Sequence, residues 1–369
     1  MRLLQDMATR SSARKVLIVV PCLNEERHIE RVLRTLAGES DRVNMKIVVV
    51  DGGSTDQTRA IVQELSVGRR IALMDNPKRI QAAGINDAVR KYGKRARFLI
   101  RVDAHASYPD DFCETLLNVQ ARTLADSVVV SMRTEGSTCL ERAAAAAQNS
   151  ILGNGGSAHR NRSGDRWVEH GHHALFKMEA FKTIGGYDET FSHNEDAEFD
   201  NRLIDAGFSI FLTAGTEVTY YPRGSLFGLF RQYFNIGKGR ARNFLRHPTR
   251  ARVRHFVLTM VAPVLCLAFL APFGNIFAVP ALCWALICLA YGIVLGLRLH
   301  DPCSMVSGIA AMAMQAGWSF GFLSGLFSGL MERRSREVNP RIQPFDARTG
   351  AGREAFVDCL DQDADVDMR

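Results

Sequence analysis

Short apolar runs alternate with segments of helical hydrophobic spacing through the first third of the chain. The runs at 15–20 and 46–50 are continuous and rich in β-branched residues, as expected for strands buried on both faces. Between them, residues 25–37 place Ile29 and Leu33 on one side of a predicted helix. Further strands are predicted at 71–74, 98–102 and 127–131, and further helices at 57–65, 80–91, 110–125, 196–206 and 226–244. The alternation predicts an α/β fold, with a mostly parallel sheet and helices on both of its faces.

The chain changes character near residue 255, where it becomes strongly apolar and almost free of charge as far as residue 331. A bilayer crossing takes about 20 residues. Three stretches are candidates for crossings, at 256–273, 276–297 and 304–330. Nine lysine and arginine residues and no acidic residue lie between 223 and 254. A basic flank beside an apolar stretch is typical of the cytoplasmic side of a membrane span, and it favours membrane lipids over nucleic acid as the partner.

The predicted organisation has four parts: an N-terminal tail (1–14), a catalytic domain (15–245), a membrane anchor (246–331) and a polar C-terminal tail (332–369). The N-terminus lacks an apolar core of signal-peptide length, which predicts that the catalytic domain stays in the cytoplasm. Basic residues also follow the third apolar stretch, and the positive-inside rule then requires an even number of crossings. Either that stretch is interfacial or re-entrant, or the tail ends outside against the rule.

The eight cysteines form no Cys-x-x-Cys pair and no zinc-ligand spacing, and four of them lie in or beside the apolar region. They are interpreted as small buried apolar side chains in a reducing compartment. This interpretation agrees with a first domain on the cytoplasmic face of a membrane.

Polar clusters follow three of the predicted strands, at the edge where parallel sheets bind their ligands. The clusters are PCLNEE after the first strand, DGGSTD after the second and DAH after the fourth. Asp51 can accept a hydrogen bond from a base or a ribose, and Gly53 lets the backbone approach a ligand closely. Ser54 or Thr55 could instead cap the next helix. A nucleotide site is favoured for Asp51, since a charged residue at a buried strand end needs a partner.

Asp103 and His105 are two residues apart at a strand end and can face the same way. A carboxylate and an imidazole so placed can hold a divalent metal ion that bridges diphosphate oxygens. An isolated Asp-x-His is more often a turn, but the position after the fourth strand favours a metal site. The neighbouring pair His172-His173 would point to opposite faces of a strand, which disfavours a metal site built from both.

Residues 193–198 form an acidic cluster that opens a predicted helix. Acidic residues are favoured at a helix N-terminus by the macrodipole alone. Three carboxylates within four residues repel one another, however, and one of them can face the cleft as a general base.

Five further residues are candidates for phosphate or acceptor binding. Lys78 and Arg79 could contact a diphosphate or lie in a solvated turn, and the two interpretations are equally favoured. His170 and His172 share a strand face and could contact an acceptor hydroxyl or phosphate. The stretch RQYFNIGKGRARN, which contains Gln232, could bind a lipid diphosphate, although contact with anionic head groups requires less special geometry.

In this order and spacing, the polar motifs resemble glycosyltransferase family 2, whose members have the nucleotide-diphospho-sugar transferase (GT-A) fold. The resemblance covers roughly residues 15–245, and four motifs in register are far more specific than one. The segments RVDAHASYP, GHHALFK and SHNEDAE resemble the succinoglycan-biosynthesis glucosyltransferase branch of that family. The resemblance implies β-1,3 transfer of glucose from UDP-glucose to a galactosyl-diphosphate lipid.

The same resemblance implies roles for individual residues around the donor. Pro21 and Glu25 would border the ribose and the base, and Asp51 would contact the uracil. Asp103 would bind the donor diphosphate and a divalent metal ion, Mn²⁺ or Mg²⁺. His105 stands where most members have a second aspartate, and imidazole is an acceptable ligand for manganese.

On the acceptor side, Asp196 matches the catalytic base of the family, with Glu195 beside it. Processive members carry Gln-x-x-Arg-Trp, whereas Gln232 is followed here by Tyr-Phe-Asn-Ile, which disfavours a polymerising synthase. The expected reaction is a single inverting displacement. Two alternatives remain: direct transfer to a polyprenyl phosphate, and a non-catalytic membrane protein that senses nucleotide sugars.

Overall fold

The computed structural model describes residues 15–157, 160, 164–248 and 253–338. The predicted N-terminal tail, most of the predicted C-terminal tail and residues 249–252 of the basic stretch lie outside these ranges. The described residues up to Leu326 belong to one compact unit, and those from Phe327 onward belong to a second.

Strands and helices alternate in the first part of the chain. The elements are β1 (Val16–Cys22), α1 (Ile29–Gly38), β2 (Met45–Asp51), α2 (Thr58–Ser66), β3 (Ile71–Asp75), α3 (Gln81–Tyr92) and β4 (Phe98–Arg101). These four strands are parallel and lie in the order β3-β2-β1-β4. Each helix carries the chain back to the same end of the sheet, so the carboxyl ends of the four strands share one edge.

The remaining part of the sheet is mixed. Its elements are β5 (Ala106–Ser107), α4 (Phe112–Thr123), β6 (Ser127–Thr134), α5 (Cys139–Asn149), α6 (Ile151–Asn154), β7 (Arg166–Val168), β8 (His172–Lys177), α7 (Met178–Thr183), α8 (Glu195–Asp205) and β9 (Ile210–Tyr220). Strand β8 lies between β4 and β6 and is antiparallel to both, whereas β6 and β9 are parallel. Among the described residues the strand order continues β4-β8-β6-β9-β5, with β7 paired to β9.

The predicted α/β fold is confirmed, but the parallel arrangement holds without exception only for β1 to β4. The apolar pattern does not predict β8, because its sequence HHALFK lacks a continuous apolar run. An antiparallel β8 has a consequence for the site. Its first residue lies beside the carboxyl end of β4, because the two strands run in opposite directions.

Side chains of β1 alternate between two apolar layers, one on each face of the sheet. Ile18 and Val20 belong to the layer that contains Leu33 of α1. Leu17 belongs to the opposite layer, with Ile85 of α3. All five side chains are almost completely buried, and each contributes roughly 1.5–3 kcal/mol of transfer free energy. This two-sided burial explains why the strand is a continuous apolar run.

The C-terminal part of the described chain is helical. It contains α9 (Leu226–Arg246), α10 (Val253–Thr259), α11 (Val261–Ala268), short 3-10 turns at Ala271–Phe273 and Asn275–Ala278, α12 (Val279–Leu299), a 3-10 turn at Pro302–Val306, and α13 (Ser307–Val338). The hydroxyl of Ser225 caps α9 by accepting a hydrogen bond from the Gly228 amide at 3.0 Å.

By length and composition, two of the described helical segments are candidate membrane spans: Asn275–Leu299 and Pro302–Met331. A third apolar segment, Arg254–Ala268, is shorter, because the helix breaks at Met260 and again after Ala268. The two candidates differ in their surroundings. Only 11% of the most apolar stretch of the first is buried within the protein, against 61% for the second.

Helix α13 packs closely against α9 through glycines spaced four residues apart. A Cβ atom placed on Gly317, Gly321 or Gly325 would lie 2.4, 1.9 and 2.8 Å from backbone oxygens of α9. Small residues at this spacing let two helix backbones approach closely. The contact explains why much of α13 is shielded although its sequence is apolar.

A disulfide and an ion pair attach the turn between α12 and α13 to the catalytic domain. Cys139, at the start of α5, is bonded to Cys303, and Arg142 lies 3.4 Å from Asp301. The interpretation of the cysteines as small buried apolar side chains in a reducing compartment is therefore wrong for this pair. The two cysteines are 164 residues apart, and only the packing of α5 on the turn brings them together.

Substitution of Gly321 tests the contact between α9 and α13. We expect Gly321→Ala to lower the free energy of unfolding by roughly 1–3 kcal/mol, because the new methyl group overlaps the Phe234 carbonyl oxygen. Thermal unfolding of the purified protein in detergent measures the effect. Gly38→Ala is the matched control, since no atom lies within 4 Å of its added Cβ. Equal melting temperatures for the two variants would contradict the described packing.

Candidate active site

The carboxyl ends of β1, β2 and β4 bring three of the predicted motifs to one edge of the sheet. Cys22 pairs with Asp51 across β1 and β2, and Val19 pairs with Arg101 across β1 and β4. A further contact joins the loops that follow these strands. Glu25 Oε1, in the loop after β1, lies 3.2 Å from His105 Nδ1.

Asp51 is buried at the end of β2 and lies within a dense set of donors. The Ser54 hydroxyl donates to Oδ1 at 2.5 Å, and Arg59 Nη1 donates to Oδ2 at 2.7 Å while also binding Asp75. Burial alone would raise the pKa of Asp51, but the bonds from Ser54 and Arg59 outweigh it and the pKa is lowered. Asp51 is thus a fixed anion, and Ser54 supports it instead of capping α2, which begins at Thr58.

Of the two basic residues predicted to contact a diphosphate, one lies beside the Asp51 loop. Gly53 has φ +89°, a conformation that favours glycine, and a Cβ there would lie 3.2 Å from Arg79 Nη2. Lys78 instead forms an ion pair with Glu189 at 2.6 Å. The structure therefore brings Arg79 to the predicted nucleotide edge, whereas Lys78 contacts the segment that precedes α8.

Asp103 follows β4 and is largely buried. Its backbone is fixed by Tyr108, whose hydroxyl accepts from the Asp103 amide at 2.7 Å. The neighbouring Gln81 side chain accepts from Arg101 Nη2 at 2.7 Å through its amide oxygen. Burial alone would raise the pKa of Asp103, but the positive charges of Arg101 and His172 outweigh it and hold the pKa at about 2. The carboxylate is therefore ionised throughout the physiological pH range.

The two acceptor-side histidines lie in different surroundings. His172 begins β8, and its Nε2 atom lies 3.5 Å from Asp103 Oδ2. His170 lies outside the strand, with Nδ1 2.5 Å from Asp200 Oδ2 on α8. His172 therefore lies at the Asp103 site, while His170 contacts the buried side of α8. Gln232, the third candidate, is on α9, and its buried Oε1 atom has no hydrogen-bond partner among the described residues.

The decisive contact of the site involves Arg101, which sequence reasoning missed. Its Nη1 atom binds Asp196 Oδ1 at the start of α8. Its Nη2 atom lies 3.4 Å from Glu195 Oε1 and 3.6 Å from Asp103 Oδ1. Tyr187 completes the group, because its hydroxyl donates to Asp196 at 3.1 Å. One guanidinium thus brings together the two predicted catalytic carboxylates and the predicted metal-binding carboxylate.

A signal for Arg101 was present in the sequence. The strand FLIRV is apolar except for this one arginine, and a buried guanidinium needs carboxylate partners. The nearest acidic residue in the chain, Asp103, supplies one of them. The other two come from α8, about 95 residues away in the chain.

Glu195 is buried beside Asp196 and Arg101. Burial and the neighbouring Asp196 raise the pKa of Glu195 to about 7, although Arg101 acts in the opposite direction. Glu195 therefore carries a proton for much of the time near neutral pH.

The residues around Asp103 fit a divalent metal ion only in part. Among the residues that the structure describes, no group of three or more histidine, cysteine or acidic side chains is spaced to hold a metal ion. His172 adjoins the Asp103 carboxylate, whereas both ring nitrogens of His105 contact protein groups, Glu25 at 3.2 Å and Tyr220 at 3.0 Å. Such a donor set suits a divalent ion whose shell is completed by substrate phosphate oxygens.

Comparison with known proteins agrees with this geometry. The sequence profile described as glycosyl transferase family 2 matches residues 17–185. The chain is also 49% identical over 307 residues to the "Succinoglycan biosynthesis protein ExoA" of Rhizobium meliloti (strain 1021), covering 83% of this chain and 93% of that protein. The chain belongs to glycosyl transferase family 2. It is accordingly a glycosyltransferase, and the predicted family and enzyme class are confirmed.

More distant members and structures extend the comparison. A Methanococcus voltae protein, "Dolichyl N-acetyl-alpha-D-glucosaminyl phosphate 3-beta-D-2,3-diacetamido-2,3-dideoxy-beta-D-glucuronosyltransferase", is 23% identical over 233 residues, covering 60% of this chain and 71% of that protein. The solved structure of the mannosyltransferase PcManGT from Pyrobaculum calidifontis, with GDP-Man and Mn²⁺, aligns with a TM-score of 0.53 at 17% identity. The alignment covers 85% of this chain and 87% of the mannosyltransferase chain. The structural likeness supports the GT-A fold predicted for this family member.

The proton on Glu195 gives a testable pH dependence. A buried carboxyl with a raised pKa stabilises the fold below its unfolded pKa, and this stability is lost as pH rises through the folded value of about 7. Glu195→Gln keeps the neutral form at every pH. We therefore expect Glu195→Gln to become more stable relative to wild type as the pH rises from 5 to 8, and its melting temperature to rise accordingly. The difference in the free energy of unfolding should grow by an amount on the order of 3 kcal/mol.

Differential scanning fluorimetry across this pH range measures the trend, with the exposed Glu64→Gln as a control for the buffers. A constant difference between Glu195→Gln and wild type at all pH values would contradict the raised pKa.

Proposed function

We propose that this glycosyltransferase inverts configuration and moves a hexose, glucose from UDP-glucose, onto a polyprenyl-diphosphate-linked sugar during exopolysaccharide synthesis of the succinoglycan type. The observation that carries the proposal is the meeting of Asp103 and Asp196 on the Arg101 guanidinium, at the ligand-binding edge of a parallel sheet. The name of the 49% identical Rhizobium protein supports the pathway.

The donor nucleotide is proposed to lie along the ends of β1 and β2. Asp51 lies at this edge, but its side chain is wholly buried and already accepts from Ser54 and Arg59. Direct contact with a uracil N–H group therefore requires one of these donors to move. Gly53 leaves room for close approach, and Arg79 lies beside it with a positive charge for the diphosphate. Pro21 and Glu25 would border the ribose and the base.

A divalent metal ion, Mn²⁺ or Mg²⁺, belongs to this proposal. Asp103 would hold it, with His172 as the nearest imidazole. His105 could join only by giving up its contact with Glu25 or with Tyr220. When bound, the ion neutralises negative charge that develops on the departing diphosphate. The hydrogen bond from the Asp103 amide to the Tyr108 hydroxyl would keep the Asp103 carboxylate in place for this role.

The chemical step assigned to the chain's own residues is a single displacement. Asp196 accepts the proton of the acceptor hydroxyl as that oxygen bonds to the anomeric carbon. The bond between this carbon and the UDP oxygen breaks, and UDP leaves with the electron pair. Attack from the face opposite the leaving group turns an α-linked donor into a β-linked product. Glu195, with its pKa raised to about 7 by burial, carries a proton for about half of the time at neutral pH, and the base is therefore assigned to Asp196.

Membrane attachment through the segment 254–303 fits an acceptor that resides in a bilayer. Arg254 donates to the Gly155 carbonyl at 2.9 Å, and Cys303 is bonded to Cys139, so both ends of the segment adjoin the catalytic domain. No Asp, Glu, Lys or Arg occurs between His255 and Leu297. We infer that this charge-free hairpin enters the membrane and returns, which gives the even number of crossings that the basic flanks require.

Two observations bear on the side of the membrane. The basic flank supports the cytoplasmic face of a bacterial inner membrane. The Cys139–Cys303 disulfide is at odds with that side, because structural disulfides are rare in reducing compartments. Alkylation of intact cells followed by mass spectrometry of this peptide pair measures its redox state directly.

Replacement of the proposed base tests the mechanism. We expect Asp196→Asn to bind UDP normally, because Asp51 and Asp103 are untouched, and to lose turnover by at least about 100-fold, because no base remains. Isothermal titration with UDP and Mn²⁺ and a radiolabel transfer assay provide the two readouts. Asp205→Asn, an exposed change at the other end of α8, is the control. Turnover retained in Asp196→Asn would remove the assigned base.

The substrates are tested with membranes and a panel of radiolabelled nucleotide sugars, followed by lipid extraction. We expect label from UDP-glucose to enter the lipid fraction only when a sugar-diphosphate lipid is supplied. Label that enters with a bare polyprenyl phosphate would instead indicate direct transfer to the lipid phosphate. UDP binding without any transfer, in the presence of both lipids, would favour a non-catalytic membrane protein that senses nucleotide sugars.

A further inference from the structure

Arg101 stands apart from the other basic side chains of the protein by its burial. Its side chain is 6% exposed, and no other lysine or arginine is buried among the residues whose burial is described. Removing a guanidinium from water costs several kcal/mol unless carboxylates and hydrogen bonds compensate. The surrounding structure meets that condition with three carboxylates and a tyrosine hydroxyl.

The partners of Arg101 come from two different parts of the fold. Asp103 follows β4 on the same strand–loop segment, whereas Glu195 and Asp196 open α8. The two terminal nitrogens of Arg101 contact different partners. Nη1 contacts Asp196 and Tyr187, whereas Nη2 lies near Glu195 and Asp103. The planar guanidinium of Arg101, whose N–H groups point in fixed directions, therefore sets the position of α8 relative to β4.

We propose that Arg101 is a positioning residue, whose guanidinium fixes the base Asp196 against the metal-binding carboxylate Asp103 so that acceptor and donor meet at a set separation. The proposal rests on the function proposed above, because it takes Asp196 as the base. Arg101 itself contacts no reacting atom. It acts through the geometry of the two carboxylates it holds.

Two features of the surroundings make this positioning rigid. Arg101 belongs to a central strand, paired with β1 on one side and adjoining β8 on the other, so its backbone cannot shift independently. Tyr187 is buried, and its backbone amide and carbonyl are both bonded to the Asn86 side chain. Its hydroxyl bonds Asp196 at 3.1 Å and therefore holds the base from a second direction.

Charge alone does not reproduce such an arrangement. A lysine at position 101 would supply one compact ammonium in place of a two-pronged planar group. It could neutralise one carboxylate, but it could not direct separate donors to Asp196 on one side and to Glu195 and Asp103 on the other. A displacement of about 1 Å in a catalytic group is enough to lower turnover by about 100-fold.

Two substitutions separate positioning from charge and from stability. Arg101→Gln removes the cation, and Arg101→Lys retains it without the fork. We expect both variants to lose turnover by about 100-fold. Arg101→Lys keeps a positive charge beside Asp103, so in this variant the KM for the nucleotide sugar and the affinity for UDP and Mn²⁺ should change by less than about threefold. Arg97→Gln, an exposed change just before the same strand, is the matched control and should keep wild-type turnover.

A double-mutant cycle identifies the residue through which Arg101 acts. In an Asp196→Asn background, Arg101→Lys should change the residual turnover by less than about threefold, because the positioned base is already absent. Full additivity of the two losses would overturn the proposal. Near wild-type turnover in folded Arg101→Lys would also overturn it, since charge alone would then suffice.

The results of these variants distinguish a failure of folding, a failure of the base assignment and a failure of the role proposed for Arg101. Loss of folding in Arg101→Gln, measured by thermal unfolding, leaves the decision to Arg101→Lys, which retains the buried positive charge. If Asp196→Asn keeps its turnover while Arg101→Lys loses it, the base assignment fails and so does the positioning of that base. If Asp196→Asn loses turnover while Arg101→Lys keeps it, the proposed function stands and only the role of Arg101 is rejected.

Discussion

A single buried positive charge constrains the whole catalytic half of this protein. Arg101 ends a strand in the middle of the sheet, where water cannot solvate its guanidinium, so carboxylates have to surround it. Asp103 reaches it from the same strand end, and α8 supplies Glu195 and Asp196. The position of α8 against β4 is therefore linked to the same ion group that forms the acceptor side of the proposed site.

The donor side of the site has a separate anion at its centre. Asp51 is held by Ser54 and Arg59 at the end of β2, two strands away from Arg101. Parallel strands bring these two centres to one edge without any direct contact between them. The division suits a transferase, since the nucleotide can occupy one centre while the sugar and the acceptor meet at the other.

The sequence predicts well those parts whose pattern is local. Strands β1 and β2 contain continuous apolar runs, because both of their faces are buried, and the polar residues that follow them mark the ligand-binding edge. The role of Arg101 was missed, because its partners Glu195 and Asp196 come from a distant helix. His172 adjoins Asp103 only because β8 runs antiparallel to β4, and HHALFK gives no sign of that direction. The Cys139–Cys303 pair likewise depends on packing across 164 residues.

The most direct measurement of the central claim is an experimental structure of the full-length enzyme with UDP and Mn²⁺ bound. The account predicts that uracil lies beside Asp51, that the diphosphate and the metal adjoin Asp103, and that Asp196 stays bonded to Arg101 while facing the space above the β-phosphate. UDP bound at another edge of the sheet, or Asp196 turned away from Arg101 with α8 displaced from β4, would contradict it.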